Sequence, residues 1–340
     1  MAAGFKSATV NAASVPSTQT DMPSYVDLAR IGITTLAEAH SIRVFADSAK
    51  TIEWAREIVS VTEMHVKVPS LTSTVTMYVD WDGIRADYAV GDTYGAQNAW
   101  PSKFAAVYHK EGGLVALDST VNGIDGTWGG YLPTNIAGFI GTAQQYNNGP
   151  NFTDLGKPAS LAFIPADTFT ITALVKRTTG GGVVFSKGDN TTGLWNYRIF
   201  VTSAGEIVAN VGSGRFDSGS FAVVDVWTRV GLRVTVGSFE VIFNGAVVAS
   251  SSTPVGTAPA RDARVLLGAR EYDPPDTEEG FFLNGGIDEV HFRNDYESDD
   301  ELFIEDKNKS AEATFWGTWT TVSGASTPAQ VARRGVIMMM

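Results

Sequence analysis

The sequence predicts an all-β protein made of two tandem β-sandwiches, and three observations predict it. Short β-branched or aromatic runs recur along the chain, separated by turn residues that include many of the 35 glycines. Val241-Ile242-Phe243 runs into Asn244-Gly245, a dipeptide that supplies the positive φ angles of a tight hairpin. Gly285-Gly286-Ile287-Asp288-Glu289-Val290-His291-Phe292 reads as a strand entered through paired glycines.

Composition narrows the class. A chain of 340 residues is long enough for two domains, each with its own core. Apolar residues make up 44% and charged residues 18%, an ordinary globular balance. The net charge of −12 argues against nucleic acid, whose phosphates need clustered Lys and Arg, and against anionic membrane surfaces. The absence of cysteine removes disulfides, thiolate metal sites and a cysteine nucleophile. Residues 1–7 lack the apolar stretch of a signal peptide, so none is expected. No apolar run approaches the ~18 residues of a membrane span.

In the first domain, 1–100, strands are expected at 25–28, 42–45, 64–68 and 75–81. Met64, Val66 and Val68 alternate with His65 and Lys67, which places those two side chains on the opposite face. Residues 51–60 are also read as strand, because they are β-branched at both ends and lie among strands. Residues 82–101 are turn-rich and form the junction. The second domain, 101–296, carries strand runs at 169–175, 182–186, 197–201, 207–211, 227–234 and 239–243, the pattern of a sandwich or jelly roll. An acidic linker with a short helix at 299–304 and a returning strand at 313–322 make up 297–322. A flexible tail, 323–340, ends the chain.

The order of several pieces between 104 and 293 resembles the laminin-G-like, concanavalin A-like jelly roll. They include Ala106-Val107-Tyr108-His109, residues 117–126, Gly138-Phe139-Ile140-Gly141, Ser186-Lys187-Gly188, Trp227-Thr228-Arg229, Phe243-Asn244-Gly245, Leu267-Gly268 and Gly286-Ile287-Asp288-Glu289. Thr228 departs from the pattern, where a His commonly follows the Trp. Residues 5–100 resemble the domain of unknown function that often precedes this jelly roll, on Ala8-Thr9-Val10-Asn11, residues 20–28, Ser41-Ile42-Arg43-Val44-Phe45 and Met77-Tyr78-Val79-Asp80. Val79-Asp80-Trp81-Asp82-Gly83 replaces that domain's usual Tyr-Gly-Asn turn. The resemblance implies an architecture found in surface proteins and in tail or head appendages of bacterial viruses.

Candidate sites follow from residue types. Asp118, Asn122 and Asp125 put oxygen ligands on one loop, which suits a structural Ca²⁺, and Asp288 is a further candidate ligand. The alternative is that these side chains accept turn hydrogen bonds. Trp128, Tyr131, Trp195, Tyr197 and Tyr272 are candidate aromatic platforms for a sugar ring, or else covers for the end of the sandwich. The histidines (His40, His65, His109, His291) are scattered, with no pair at metal-ligand spacing, and His109 reads as a core or edge group. A glycosidase needs two carboxylates flanking a cleft, and no strand carries such a run.

The expected function is therefore a non-enzymatic virion surface protein of a bacteriophage, a tail appendage or capsid decoration. It would present its lectin-like jelly roll to host glycans or to other subunits, and would form a homo-oligomer. The alternatives are a cell-surface carbohydrate-binding adhesin and a polysaccharide-degrading enzyme.

Overall fold

A computed structural model describes residues 3–110, 115–189, 194–252, 262–271 and 279–323. The first sandwich faces a five-stranded sheet against a three-stranded one. The larger sheet runs in the order Thr320–Thr321, Gly4–Thr9, Thr76–Trp81, Arg43–Phe45, Glu53–Trp54. The smaller sheet orders Gln19–Asp27, Glu63–Leu71, Arg56–Ile58. The strand reading of 51–60 holds for Glu53–Trp54 and Arg56–Ile58.

The second sandwich is a concanavalin A-like jelly roll, among the described residues two eight-stranded antiparallel sheets. Its interior is filled by Tyr108, Tyr146, Phe169, Ile171, Phe185, Tyr197, Val230 and Phe292 among others. The glycine-entered strand Asn284–Arg293 is central, pairing with Thr142–Asn147, Phe169–Arg177 and Phe104–Tyr108. Asn244 and Gly245 both take positive φ, +47° and +74°, as the hairpin requires.

The acidic segment after the jelly roll is mostly helix. Helix Asp299–Ser310 runs past the predicted 299–304, and Ser298 and Glu301 close a capping box at its start. Three acids in the first turn and Lys307 and Lys309 in the last complement its dipole. The expected strand at 313–322 is replaced by the helical turn Glu312–Phe315 and the two-residue strand Thr320–Thr321. The cause is burial. Phe315, Trp316 and Trp319 join Val26, Val44, Met64 and Val79 in the first core, and the Trp316 indole donates to the Tyr25 carbonyl at 3.0 Å. The C-terminal segment thus completes the N-terminal sandwich. Apart from Ser323, the expected tail lies outside the described residues.

Candidate functional site: a polar network and the cleft in front of it

Alternation along Glu63–Leu71 sends Met64, Val66 and Val68 into the first core and leaves Glu63 and His65 on the other face. That face packs against the jelly roll. The His65 ring stacks on His109 with centroids 4.4 Å apart, and Trp100 lies 5.3 Å from one ring and 5.5 Å from the other. His291 meets Trp100 edge-on at 5.4 Å. Three of the four histidines are therefore gathered in one place, and the expectation that they are scattered is corrected. All three come from different strands or strand ends, so their grouping is a product of tertiary packing.

Carboxylates surround these rings. His109 Nδ1 lies 2.6 Å from Glu289 Oε1 and 3.4 Å from Glu63 Oε1, while its Nε2 lies 3.2 Å from Glu57 Oε2. Glu57 is held by the Trp100 indole and the Ser119 hydroxyl, each donating at 2.6 Å. His65 Nε2 is 2.9 Å from Glu63 Oε1. Helix Asp299–Ser310 adds Lys309, whose Nζ lies 2.7 Å from Glu289 Oε2 and 3.0 Å from Glu305 Oε1. Glu305 in turn pairs with Arg229.

A bulge aims Glu289 into this network. Pairing with Phe169–Arg177 shifts by one residue between Thr172 and Leu174, and Glu289 takes φ +46°, a region costly for a side chain. Burial opposes ionisation of Glu289, but Lys309 and His109 outweigh it, and its carboxyl sits well below the usual range. Burial likewise works against a charged His109, yet Glu289 and Glu57 hold its pKa well above the ordinary value. His65 moves the other way, pushed down by burial and by His109. A void of about 10 Å³ beside Tyr25, His65, Trp100 and Lys309 leaves room for about one water.

In front of the network lies a cleft of about 220 Å³. Trp227, Phe139 and Leu174 form its apolar walls, and Arg229, Asn244, Asp306, Lys309 and Ser310 its polar ones. Both segments that mark the sandwich in the sequence shape it. A Cβ on Gly286 would come within 2.8 Å of the Trp227 ring, so the glycine lets the indole lie against the strand. A Cβ on Gly245 would fall 2.6 Å from the Asp306 Cβ, so the Asn-Gly turn can press against the helix and hold Asn244 at the rim. Asp306 is pushed up by burial.

Among the described residues, those singled out from sequence do not line this cleft. Tyr131 is 72% exposed, and Trp128 is partly buried on strand Gly126–Gly130 with the Lys110 ammonium 5.5 Å from its ring. Trp195 and Tyr197 are buried on strand Leu194–Val201, which corrects their reading as platforms for a sugar ring. Arg198 covers the Trp195 ring at 4.0 Å, and Tyr197 belongs to the core. Tyr272 lies outside the described residues. Trp227 was legible as a strand residue and as part of the jelly-roll resemblance but not as a cleft wall, since Gly286 and the helix residues that line the cleft lie far from it in sequence.

The Ca²⁺ candidates do not fit a cation. Asp118 accepts from the Val107, Thr120 and Ile124 amides and from the Thr120 hydroxyl, so donors occupy the positions a metal needs. Asp125 accepts from the Asp118 amide, and the Asn122 side chain donates to the Ala105 carbonyl. Asp288 is fully buried and accepts from the Phe139 and Ile140 amides at 2.9 and 3.2 Å, in the turn whose Gly138 leaves it space. Burial, reinforced by Glu289, raises its pKa well above the carboxylate range.

Residues 147–303 match the family model described as the Concanavalin A-like lectin/glucanases superfamily. Among solved structures, the chain is similar to domain 4 of AbnA, a GH43 extracellular arabinanase from Geobacillus stearothermophilus, in complex with arabinotriose. The identity is 22%, over 60% of this chain and 98% of that one, with a TM-score of 0.45. It is also similar to the CBM40 of the Ruminococcus gnavus IT-sialidase bound to α2,6 sialyllactose, at 19% identity over 48% and 96% with a TM-score of 0.38. The botulinum neurotoxin serotype G binding domain aligns at 13% identity over 63% and 54%, with a TM-score of 0.46. These are likenesses of chain path. No curated protein matches.

Proposed function

We propose that this chain is a non-enzymatic glycan-binding protein whose sugar site is the Trp227 cleft. The observation that carries the reading is the composition of that cleft. The Trp227 wall gives the C–H side of a pyranose an apolar surface to pack on, and Asn244, Asp306 and Ser310 add groups that can orient hydroxyls. A volume of about 220 Å³ suits a single sugar ring. Among the described residues Asp306 is the one carboxylate lining it, whereas glycoside hydrolysis uses two.

The setting that fits is the surface of a bacteriophage particle, as a tail appendage or capsid decoration beside other virion subunits and further copies of itself. Support comes from the sequence resemblance of residues 5–100 and 104–293 to a domain pair that occurs in surface proteins and in such appendages. A one-ring site gains from display in many copies, because linked sites raise avidity by roughly 10²–10⁴ without new contacts.

The test is a panel of bacterial surface polysaccharides and oligosaccharides probed with the full chain and with Trp227→Ala. The reading expects binding to at least one glycan, its loss in the variant, and no new reducing ends. Binding that survives Trp227→Ala contradicts the site, and release of reducing sugar contradicts the non-enzymatic reading.

A further inference from the structure

We infer that Glu63, His65, His109 and Glu289 form a structural site for one divalent transition-metal ion, zinc by donor set, that clamps the two sandwiches together. The inference is independent of the sugar cleft, since none of the four residues lines it. One ligand atom from each residue falls within a sphere where all lie within 4.8 Å of one another, and all four residues are buried. Neighbouring donors are 2.6, 2.9 and 3.4 Å apart. Tetrahedral zinc with bonds of about 2.0–2.2 Å separates its ligand atoms by roughly 3.3 Å. Small side-chain adjustments therefore close the sphere.

A second observation points the same way. Metal-bound imidazoles usually donate their other ring N–H to a carboxylate that fixes the tautomer. His109 has that arrangement: Nε2 faces Glu57, itself fixed by Trp100 and Ser119, while Nδ1 faces two carboxylate oxygens. With the Nε2 proton committed to Glu57, the Nδ1 lone pair would oppose the lone pairs of Glu289 and Glu63. Either a second proton or a cation must sit between them. A metal ion satisfies His109, His65 and both carboxylates at once, and its binding releases the Nδ1 proton. Imidazole with carboxylate donors suits zinc over calcium or magnesium, which prefer oxygen alone.

The ligands also come from both halves. Glu63 and His65 lie on a strand of the first sandwich, whereas His109 follows strand Phe104–Tyr108 and Glu289 lies on the central jelly-roll strand. A bound ion would therefore join the two sandwiches.

The experiment strips the full chain with chelator and titrates it with Zn²⁺, following metal content by mass spectrometry and Tm by calorimetry. The expected result is one zinc per chain with a higher Tm. Co²⁺ in the same unmutated chain should give the intense visible bands of a tetrahedral site, which keeps the test decisive if variants fold poorly. Glu57→Gln should weaken zinc binding by roughly 10–100-fold. A stripped chain that takes up no stoichiometric zinc, or whose Tm ignores it, overturns the inference. So does full zinc binding by a folded His65→Gln, Glu289→Gln variant.

Discussion

Lys309 Nζ lies 2.7 Å from Glu289 Oε2, joining the last turn of the helix after the jelly roll to the bulged residue of its central strand. The same residue also lines the Trp227 cleft. It also contacts Glu305 at 3.0 Å and His291 Nε2 at 3.3 Å. The cleft wall and the buried network are thus one piece of structure, and perturbing the network should be felt at the cleft.

Lys309→Met leaves Glu289 and Glu305 without their shared cation. Removing one partner of a buried ion pair typically costs about 3–5 kcal/mol, because the remaining charge stays desolvated. Urea unfolding should show a loss of that size, and the double variant Lys309→Met, Glu289→Gln should recover part of it through coupling. A single variant within about 0.5 kcal/mol of the parent, the range of ordinary surface substitutions, would mean the pair contributes little.

Deleting the chain after residue 310 should unfold the first sandwich selectively. Phe315 and Trp316 are fully buried in its core, and Thr320–Thr321 pairs with Gly4–Thr9 at its edge. Trp316→Ala alone should cost about 3–5 kcal/mol. Amide exchange is the readout: protection should vanish from Gln19–Asp27 and persist in Phe169–Arg177. Equal protection of both strands in the truncated chain would show that the C-terminal segment is dispensable.

Lys110 gives a pH signature. It is 4% exposed, and burial pulls its pKa down to about 7, against 10.5 for a free lysine. Between those values the unfolded chain binds the extra proton, so stability rises with pH across this window. Below pH 7 the ammonium is charged in both states and its burial cost is felt in full. The full swing is on the order of 5 kcal/mol. Lys110→Met should flatten the rise in denaturation midpoint between pH 7 and 10 and raise stability at pH 6. An unchanged slope would show that Lys110 is not the group responsible.

Much of the fold was legible because strand alternation and turn chemistry are local. Met64, Val66 and Val68 fall on the core face as their spacing requires, and Asn244-Gly245 turns as its φ angles permit. The C-terminal segment was misread because Phe315, Trp316 and Trp319 have strand-like composition, while the core they fill belongs to residues some 300 positions earlier. The candidate site was less legible for the same reason. Spacing along the chain carries no trace of His65 stacking on His109, nor of Trp227 lying over Gly286. One signal was present: alternation put His65 opposite the core face, and a strand whose second face is also buried must meet another body. Trp195 and Tyr197 show the converse error, since both read as candidate sugar platforms while strand Leu194–Val201 buries them.

The account rests on Trp227 being the surface that meets a sugar. The most direct measurement is a two-dimensional indole N–H spectrum of the full chain, titrated with a glycan that binds it, with the Trp227 resonance assigned from Trp227→Phe. A progressive, saturable shift of that resonance, with the buried Trp100 and Trp316 signals unmoved, is the predicted result. A shift confined to Trp128, near the exposed Tyr131, with Trp227 unaffected, would contradict it.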